Sequence, residues 1–215
     1  MSEPSETVAA RLNTLLAGAG LDRLDAEAGS HFAAYCALLL RWNARMNLTA
    51  VRDEEGILSR HFVECIACAR ALPTEVRTLL DFGAGAGFPG IPIALCRPEI
   101  AVTLAESQGK KAAFLQEAVR TLGISAKVHS GRAEALPDPF DCVSLRAVDH
   151  MEVAIPAAAV LVKTGGWLVV MTTESAFESV KAYAGAAFSW VMPVPLPGGE
   201  SRVLTLGRRE VSSPA

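Results

Sequence analysis

No run in this 215-residue chain approaches the roughly eighteen consecutive apolar residues of a membrane-spanning helix. Hydrophobic residues still make up 51% of it, enough for a substantial core. The first ten residues, MSEPSETVAA, are acidic and polar, unlike a signal peptide. Positive charge is not in excess: 20 Lys and Arg against 23 Asp and Glu leave a net charge of −3. A protein that grips long naked nucleic acid is basic overall, so any such contact here must come from a local patch. The cysteines number five, odd and without framework spacing, and read as reduced thiols in a cytoplasm. Cys65 and Cys68 form a lone C-x-x-C with no second pair and no histidine cluster, so we expect two small residues on one helical face and no metal site. Internal repeats and low-complexity segments are absent. The length fits one domain with an extension, divided as residues 1–72 and 73–215.

What is present centres on residues 78–106, TLLDFGAGAGFPGIPIALCRPEIAVTLAE. A short apolar run from Val76 closes at Asp81, and three alternating glycines follow, Gly83, Gly85 and Gly87. Ile91, Ile93, Ala94 and Leu95 have helical spacing, Pro98 breaks it, and a β-branched run ends at Glu106. The pattern predicts strand, tight loop, helix, strand. Glycines in such a loop let backbone approach a ligand without a Cβ between them, and the helix start offers free N–H groups to an anion. Pro89 suits a first helical turn. Glu106, about twenty residues past the loop, is placed to accept from two ribose hydroxyls. The pocket is therefore expected to hold a nucleoside with an anionic or zwitterionic tail. A dinucleotide fingerprint needs glycine at position 88, where this chain has Phe88. D-x-G-x-G-x-G argues instead for S-adenosyl-L-methionine, and against a dehydrogenase.

Residues 6–18 and 25–46 have the spacing of amphipathic helices. Asn43, Asn47 and Thr49 are polar groups in an apolar neighbourhood, suited to capping a helix and fixing a turn. Asp53 is placed to cap a helix over 54–60. Arg41, Arg45, Arg52, Arg60 and His61 give the extension a basic side, either a solvated surface or a substrate rim.

The stretches WNARMNLTAVRD (42–53), RHFVEC (60–65) and LDFGAGAGFPGIP (80–92) together resemble the RsmG (GidB) family, the ribosomal RNA small subunit methyltransferases G. The F-P-G-I-P extension of the glycine loop is the most specific part, and the likeness runs from about residue 35 to 146. The resemblance implies a class I S-adenosylmethionine-dependent methyltransferase, Rossmann-like, with a mostly parallel seven-stranded sheet, an antiparallel final strand and an N-terminal helical extension. It implies methyl transfer to N7 of a guanine in the decoding-region loop of 16S rRNA, in the cytoplasm. An acidic enzyme with a small basic rim suits a preformed loop on a small ribosomal subunit or assembly intermediate. We expect a monomer.

Residues 107–122 read as a helix with Ser107 as its cap. Lys110 and Lys111 lie in its first turns, where they oppose the helix dipole and suit an external phosphate or plain solvent; they match the family's G-K-[KR]-x-x-F-L. Residues 124–129 read as a third strand. By resemblance Ala133 and Glu134, just after it, frame the adenine, while Gly83, Gly85, Phe88 and Glu106 hold the rest of the cofactor. Residues 140–145 form a fourth strand ending at Arg146. Open α/β sheets bind ligands at strand C-termini, so Arg146 is the leading substrate-side residue. It is placed to meet guanine, a phosphate or the cofactor's carboxylate, or to pair with Glu134 or another local acid. Asn47, Arg60, His61, Lys110 and Lys111 are candidates for RNA contact. The family's S-R-A-F keeps only its arginine and alanine here, between Leu145 and Val148, and the family's L-K-G is replaced by Met171-Thr172-Thr173. Residues 151–162 and 174–184 read as helices. Residues 167–172, after a Gly165-Gly166 turn, read as a strand, and 188–194 with 202–208 as a closing antiparallel pair. The tail from 209 reads as loose. No catalytic dyad is evident, and no catalytic base is assigned. Two alternatives predict different outcomes: a small-molecule methyltransferase turns over without RNA, and a non-catalytic nucleotide-responsive module binds cofactor without transfer.

Overall fold

Thr7 and Asp25 start the first two helices in the same way. Each is extended, and its side chain accepts from the backbone N–H three residues on, which satisfies one donor that a helix start leaves free. Helix α1 spans Val8–Gly18 and α2 spans Ala26–Asn43. The computed structural model describes residues 6–147, 150–199 and 201–211; Val148, Glu200 and the tail beyond 211 lie outside them. Asn43 ends α2 in the capping role its position suggested. Its Oδ1 accepts from the N–H of Leu48 (2.9 Å) and Thr49 (3.1 Å), and its Nδ2 donates to the Val51 carbonyl (2.9 Å).

Asp53 caps the short helix α3, Glu54–Gly56. The chain then widens into a π-helical turn, Ile57–Phe62, before tightening into α4, Val63–Ala71. A helix over 54–60 was therefore the right start with the wrong end. Cys65 and Cys68 are both buried on α4, as two small residues on one face. Burial pushes the Cys65 thiol up to about 12, so it stays protonated.

The sheet strands are β1 (Thr78–Phe82), β2 (Ala101–Ala105), β3 (Lys127–His129), β4 (Phe140–Arg146), β5 (Val162–Thr173), β6 (Phe188–Trp190), β7 (Val194–Pro195) and β8 (Arg202–Arg209). Their order is β3-β2-β1-β4-β5-β8-β6, parallel through β5, with β8 antiparallel to β5 and β6 antiparallel to β8. This is the expected seven-stranded arrangement with one addition: β7 also pairs with β8. A single strand over 188–194 does not form, because Pro193 has no N–H for the ladder and separates β6 from β7. Strand β5 begins at Val162, ahead of the expected 167. The chain passes Gly165 in a left-handed conformation, and the pairing with β4 shifts register between Phe140 and Cys142.

Side chains alternate across the sheet, so each strand feeds two cores. Leu79, Leu104, Cys142 and Val169 face a core shared with α1, α2, α4, α5 (Gly90–Cys96) and α6 (Gly109–Leu122). Leu80, Ala105, Val143 and Val170 face a second core under α7 (Met151–Val160) and α8 (Phe177–Ala184). Ser107 is not the cap of α6. Gln108 holds that position without a side-chain bond, and its N–H is taken by Glu106. Among the described residues no helix is long and apolar enough to cross a membrane.

Candidate active site

Pairing of Phe82 with Ala105 and of Asp81 with Ser144 brings the C-terminal ends of β1, β2 and β4 side by side. The glycine loop leaves from this edge. Gly83, Gly85 and Gly87 all have positive φ (72°, 56° and 90°), a region side chains other than glycine seldom enter. The loop is pinned by Ala84 N–H to the Ala105 carbonyl (2.9 Å) and by Gly85 N–H to Glu106 Oε2 (2.9 Å). Glu106 Oε1 accepts from Gln108 N–H (2.7 Å), so one buried carboxylate ties the loop to the start of α6.

Asp81 closes the loop from below. Its Oδ2 accepts from Gly90 N–H (2.9 Å) and its Oδ1 from the Ser144 hydroxyl (3.1 Å). Burial pushes this carboxyl up to about 7, against the pull of those two hydrogen bonds. From the other side α2 reaches the loop: the Tyr35 hydroxyl donates to the Ala86 carbonyl at 2.6 Å, and its ring stacks on Phe62.

A cavity of about 1080 Å³ opens over this edge. Of the residues singled out from the sequence, Gly83, Gly85, Phe88, Glu106, Arg60, His61, Lys111 and Arg146 line it. Asn47, Lys110, Ala133 and Glu134 are not on its wall. Asn47 instead accepts from Arg52 (2.7 Å), and Glu134 pairs with Arg132 (2.5 Å). A Cβ added at Gly83 would meet nothing within 4 Å, so the backbone faces open cavity there. That space, the carboxylate at the tip of β2 and the Phe88 ring fit a nucleoside cofactor. Among the described residues no group of three or more His, Cys, Asp or Glu is placed to hold a metal ion.

The π-helical turn shapes the opposite wall. It brings Arg60 and His61 into the cavity and Glu64 beneath them. Arg146 pairs with Glu64 at 2.8 Å, not with Glu134, and the side chains are 7% and 1% exposed. The other Glu64 oxygen lies 2.9 Å from Arg202 Nε. His61 does not belong to a basic side. Burial, together with the positive charge of Arg146 and Arg60, pushes its pKa down to about 3, so the ring is neutral. Glu64, Arg202 and Tyr35 escaped the sequence reading as site residues. Glu64 carried one signal, its place three residues after His61, which stacks the two on one helical face.

The element order and the glycine-loop cavity at the strand ends define an S-adenosylmethionine-type methyltransferase fold, and solved structures agree. The T. thermophilus 16S rRNA N2 methyltransferase RsmC, in complex with AdoMet and guanosine, superposes with a TM-score of 0.54 at 18% identity, covering 73% of this chain and 41% of that one. A predicted O-methyltransferase from Agrobacterium tumefaciens gives 0.56 at 21% identity over 71% of this chain and 82% of that one. At these identities the likeness is of fold alone. Residues 29–197 match the family GidB, rRNA small subunit methyltransferase G, and the chain belongs to that family. Ribosomal RNA small subunit methyltransferase G of Xanthomonas euvesicatoria pv. vesicatoria is 41% identical over 82% of this chain and 84% of that protein. The Stenotrophomonas maltophilia relative of the same name is 38% identical over 93% of this chain and 95% of that protein.

Proposed function

We propose that this chain transfers a methyl group from S-adenosyl-L-methionine to N7 of a guanine in the decoding-region loop of 16S rRNA, in the cytoplasm. The observation that carries this reading is family membership across most of the chain, joined to a cavity built on the D-x-G-x-G-x-G loop. Gly83, Gly85, Phe88 and Glu106 would hold the cofactor; Ala133 and Glu134, which the resemblance sets beside its adenine, lie outside the cavity wall, and Glu134 is paired with Arg132. The bound cofactor supplies an electrophilic methyl on a sulfonium.

Guanine N7 has an in-plane lone pair and carries no proton at neutral pH, so the acceptor needs no general base. The cavity residues are consistent with that. The His61 Nδ1 lone pair is taken by Arg146, the Glu64 oxygens face two guanidiniums, and the Glu106 oxygens accept from backbone. Catalysis then rests on alignment and closeness of the reacting atoms. We infer that residues 1–72 act as the substrate-side wall, since residues 48–64 supply much of the cavity lining opposite the glycine loop. A target base must leave its stack to enter such a cavity. Arg52, Arg60, Lys111, Arg146 and Arg202 line the cavity beside Asp53, Glu55, Glu64 and Glu106, a small positive excess in a chain that is negative overall.

The test uses labelled cofactor with three substrates: small subunits lacking the modification, bare 16S rRNA and a small-molecule extract. Label should appear at guanine N7 of 16S rRNA, identified by mass after digestion, and faster on subunits or assembly intermediates than on short hairpins. Label only in small molecules would overturn the RNA reading.

A further inference from the structure

Arg146 is held in an unusual way. Its hydrogen bonds all leave from one terminal nitrogen, whose two hydrogens are shared among Glu64 Oε2 (2.8 Å), His61 Nδ1 (2.9 Å) and the Arg60 carbonyl (2.9 Å). Its Nε is buried without a hydrogen-bond partner. Arg202 Nε beside it also lacks a hydrogen bond, its contact with Glu64 being an ion pair only. Buried donors are nearly always paired, and Arg146 lines the cavity, so its guanidinium keeps donors for an acceptor that arrives with the ligand. The charges say the same. Arg146 and Arg202 share the single carboxylate of Glu64, which leaves the cluster one positive charge in excess. A buried ion cluster is no more stabilising than well-packed apolar side chains, so its presence needs another reason.

His61 fixes the remaining freedom. A guanidinium only donates, so Nδ1 accepts and the ring hydrogen must sit on Nε2, which donates to Thr49 Oγ1 at 2.8 Å. Thr49 Oγ1 also accepts from the Val51 N–H (3.2 Å). The imidazole is thus held at both nitrogens and packs on Phe88 with ring centroids 4.7 Å apart, while the Arg146 guanidinium lies 5.5 Å from the same ring.

We propose, resting on the rRNA reading above, that Glu64 and His61 are positioning residues for the RNA: together they turn Arg146 so that its free donors meet a phosphate oxygen beside the target base. Glu64 aims the guanidinium by charge, and His61 aims it by the Nδ1 lone pair. A phosphate suits the excess positive charge of the cluster and the planar donor set of arginine.

Full-length wild type, His61→Phe, His61→Asn and Glu64→Gln are compared. Phenylalanine keeps a ring against Phe88 but offers no acceptor, whereas asparagine returns an oxygen near the Nδ1 position. Binding to small subunits is measured across a salt series, with cofactor affinity, kcat, KM and melting temperature in parallel. His61→Phe is expected to weaken subunit binding about tenfold, the scale of one hydrogen bond to a charged group. Its salt slope should fall by about one, as for a lost phosphate contact. KM should rise more than kcat falls, cofactor affinity should hold, and His61→Asn should restore most of the loss. Glu64→Gln should likewise raise KM more than it lowers kcat, but without the fall in salt slope, because it adds one positive charge to the cluster; if it fails to fold, the two His61 variants decide. An unchanged salt slope in His61→Phe, a cofactor affinity that falls in step with RNA binding, or equal losses in both His61 variants would each overturn the proposal. Failure of the rRNA reading is separate: it shows in the wild-type chain, which would then neither bind nor methylate subunits.

Discussion

Asp81 and His61 are both buried, and burial drives each toward its neutral form from opposite sides of the pH scale. For Asp81 the folded pKa, about 7, lies above the ordinary carboxylate value of 3.8. Between those values the folded state binds more protons than the unfolded chain, so this contribution is full at low pH and is lost as pH rises toward 7. For His61 the folded pKa, about 3, lies below 6.5, so its contribution is full above 6.5 and is lost as pH falls toward 3. In the overlap the two slopes oppose, and only variants separate them. Asp81→Asn keeps an acceptor for the Gly90 N–H and cannot ionise. Its melting temperature should therefore gain on wild type in going from pH 5 to pH 8. A difference between the two proteins that stays constant across that range would mean Asp81 does not titrate there. Asp81 was visible in the sequence as the acid leading the glycine loop. Its burial was not, because the Ser144 hydroxyl that accompanies it comes from a strand 63 positions away.

The glycine loop, the proposed cofactor-binding element, is braced by α2 as well as by the sheet. Gly87 shows how tightly. Its φ is 90°, and an added Cβ would lie 2.8 Å from the Tyr35 hydroxyl and collide with Ile91. Gly87→Ala should cost about 1–2 kcal/mol in backbone strain alone and shift the loop. The expected readout is cofactor affinity reduced by an order of magnitude or more, measured by calorimetry. Tyr35→Phe leaves the Ala86 carbonyl buried without its donor and should destabilise by about 1–3 kcal/mol, with a smaller effect on affinity. Melting curves with and without cofactor separate the two effects. At this scale the sequence was most readable. Alternating glycines, Pro98 and the β-branched runs mark β1, the loop, α5 and β2 locally, and the structure follows within a residue or two. The π-helical turn at Ile57–Phe62 was not readable, since six residues give too few turns for hydrophobic spacing to tell a π-turn from an α-turn. The Glu64–Arg146–Arg202 cluster was hidden for another reason. Its members come from α4, β4 and β8, and only the sheet order β4-β5-β8 and the packing of α4 bring them together.

For the whole molecule the deciding feature is that one hydrophobic core runs through both parts of the chain. Leu12, Leu16, Phe32, Tyr35 and Phe62 are wholly buried in the same cluster as Leu79, Ile91, Ile93, Phe114 and Leu115. Burying one such side chain is worth about 1.5–3 kcal/mol. Removing the five from the N-terminal part therefore withdraws as much as the roughly 5–15 kcal/mol by which a domain of this kind is stable. It would also bare the face of α5 and α6 that they cover and leave the Ala86 carbonyl and the Arg146 guanidinium without Tyr35 and Glu64. A chain beginning at residue 73 should therefore show no cooperative melting transition and bind no cofactor, even though it retains the glycine loop, Glu106 and every strand of the sheet. Calorimetric melting and cofactor titration of that fragment check this. A sharp transition with near-native cofactor affinity would mean that the helices up to residue 72 are a separable domain. Loss of both would mean that the proposed substrate wall and the proposed cofactor pocket fold as one unit, so a change that loosens α2 or α4 reaches the glycine loop through the same packed side chains.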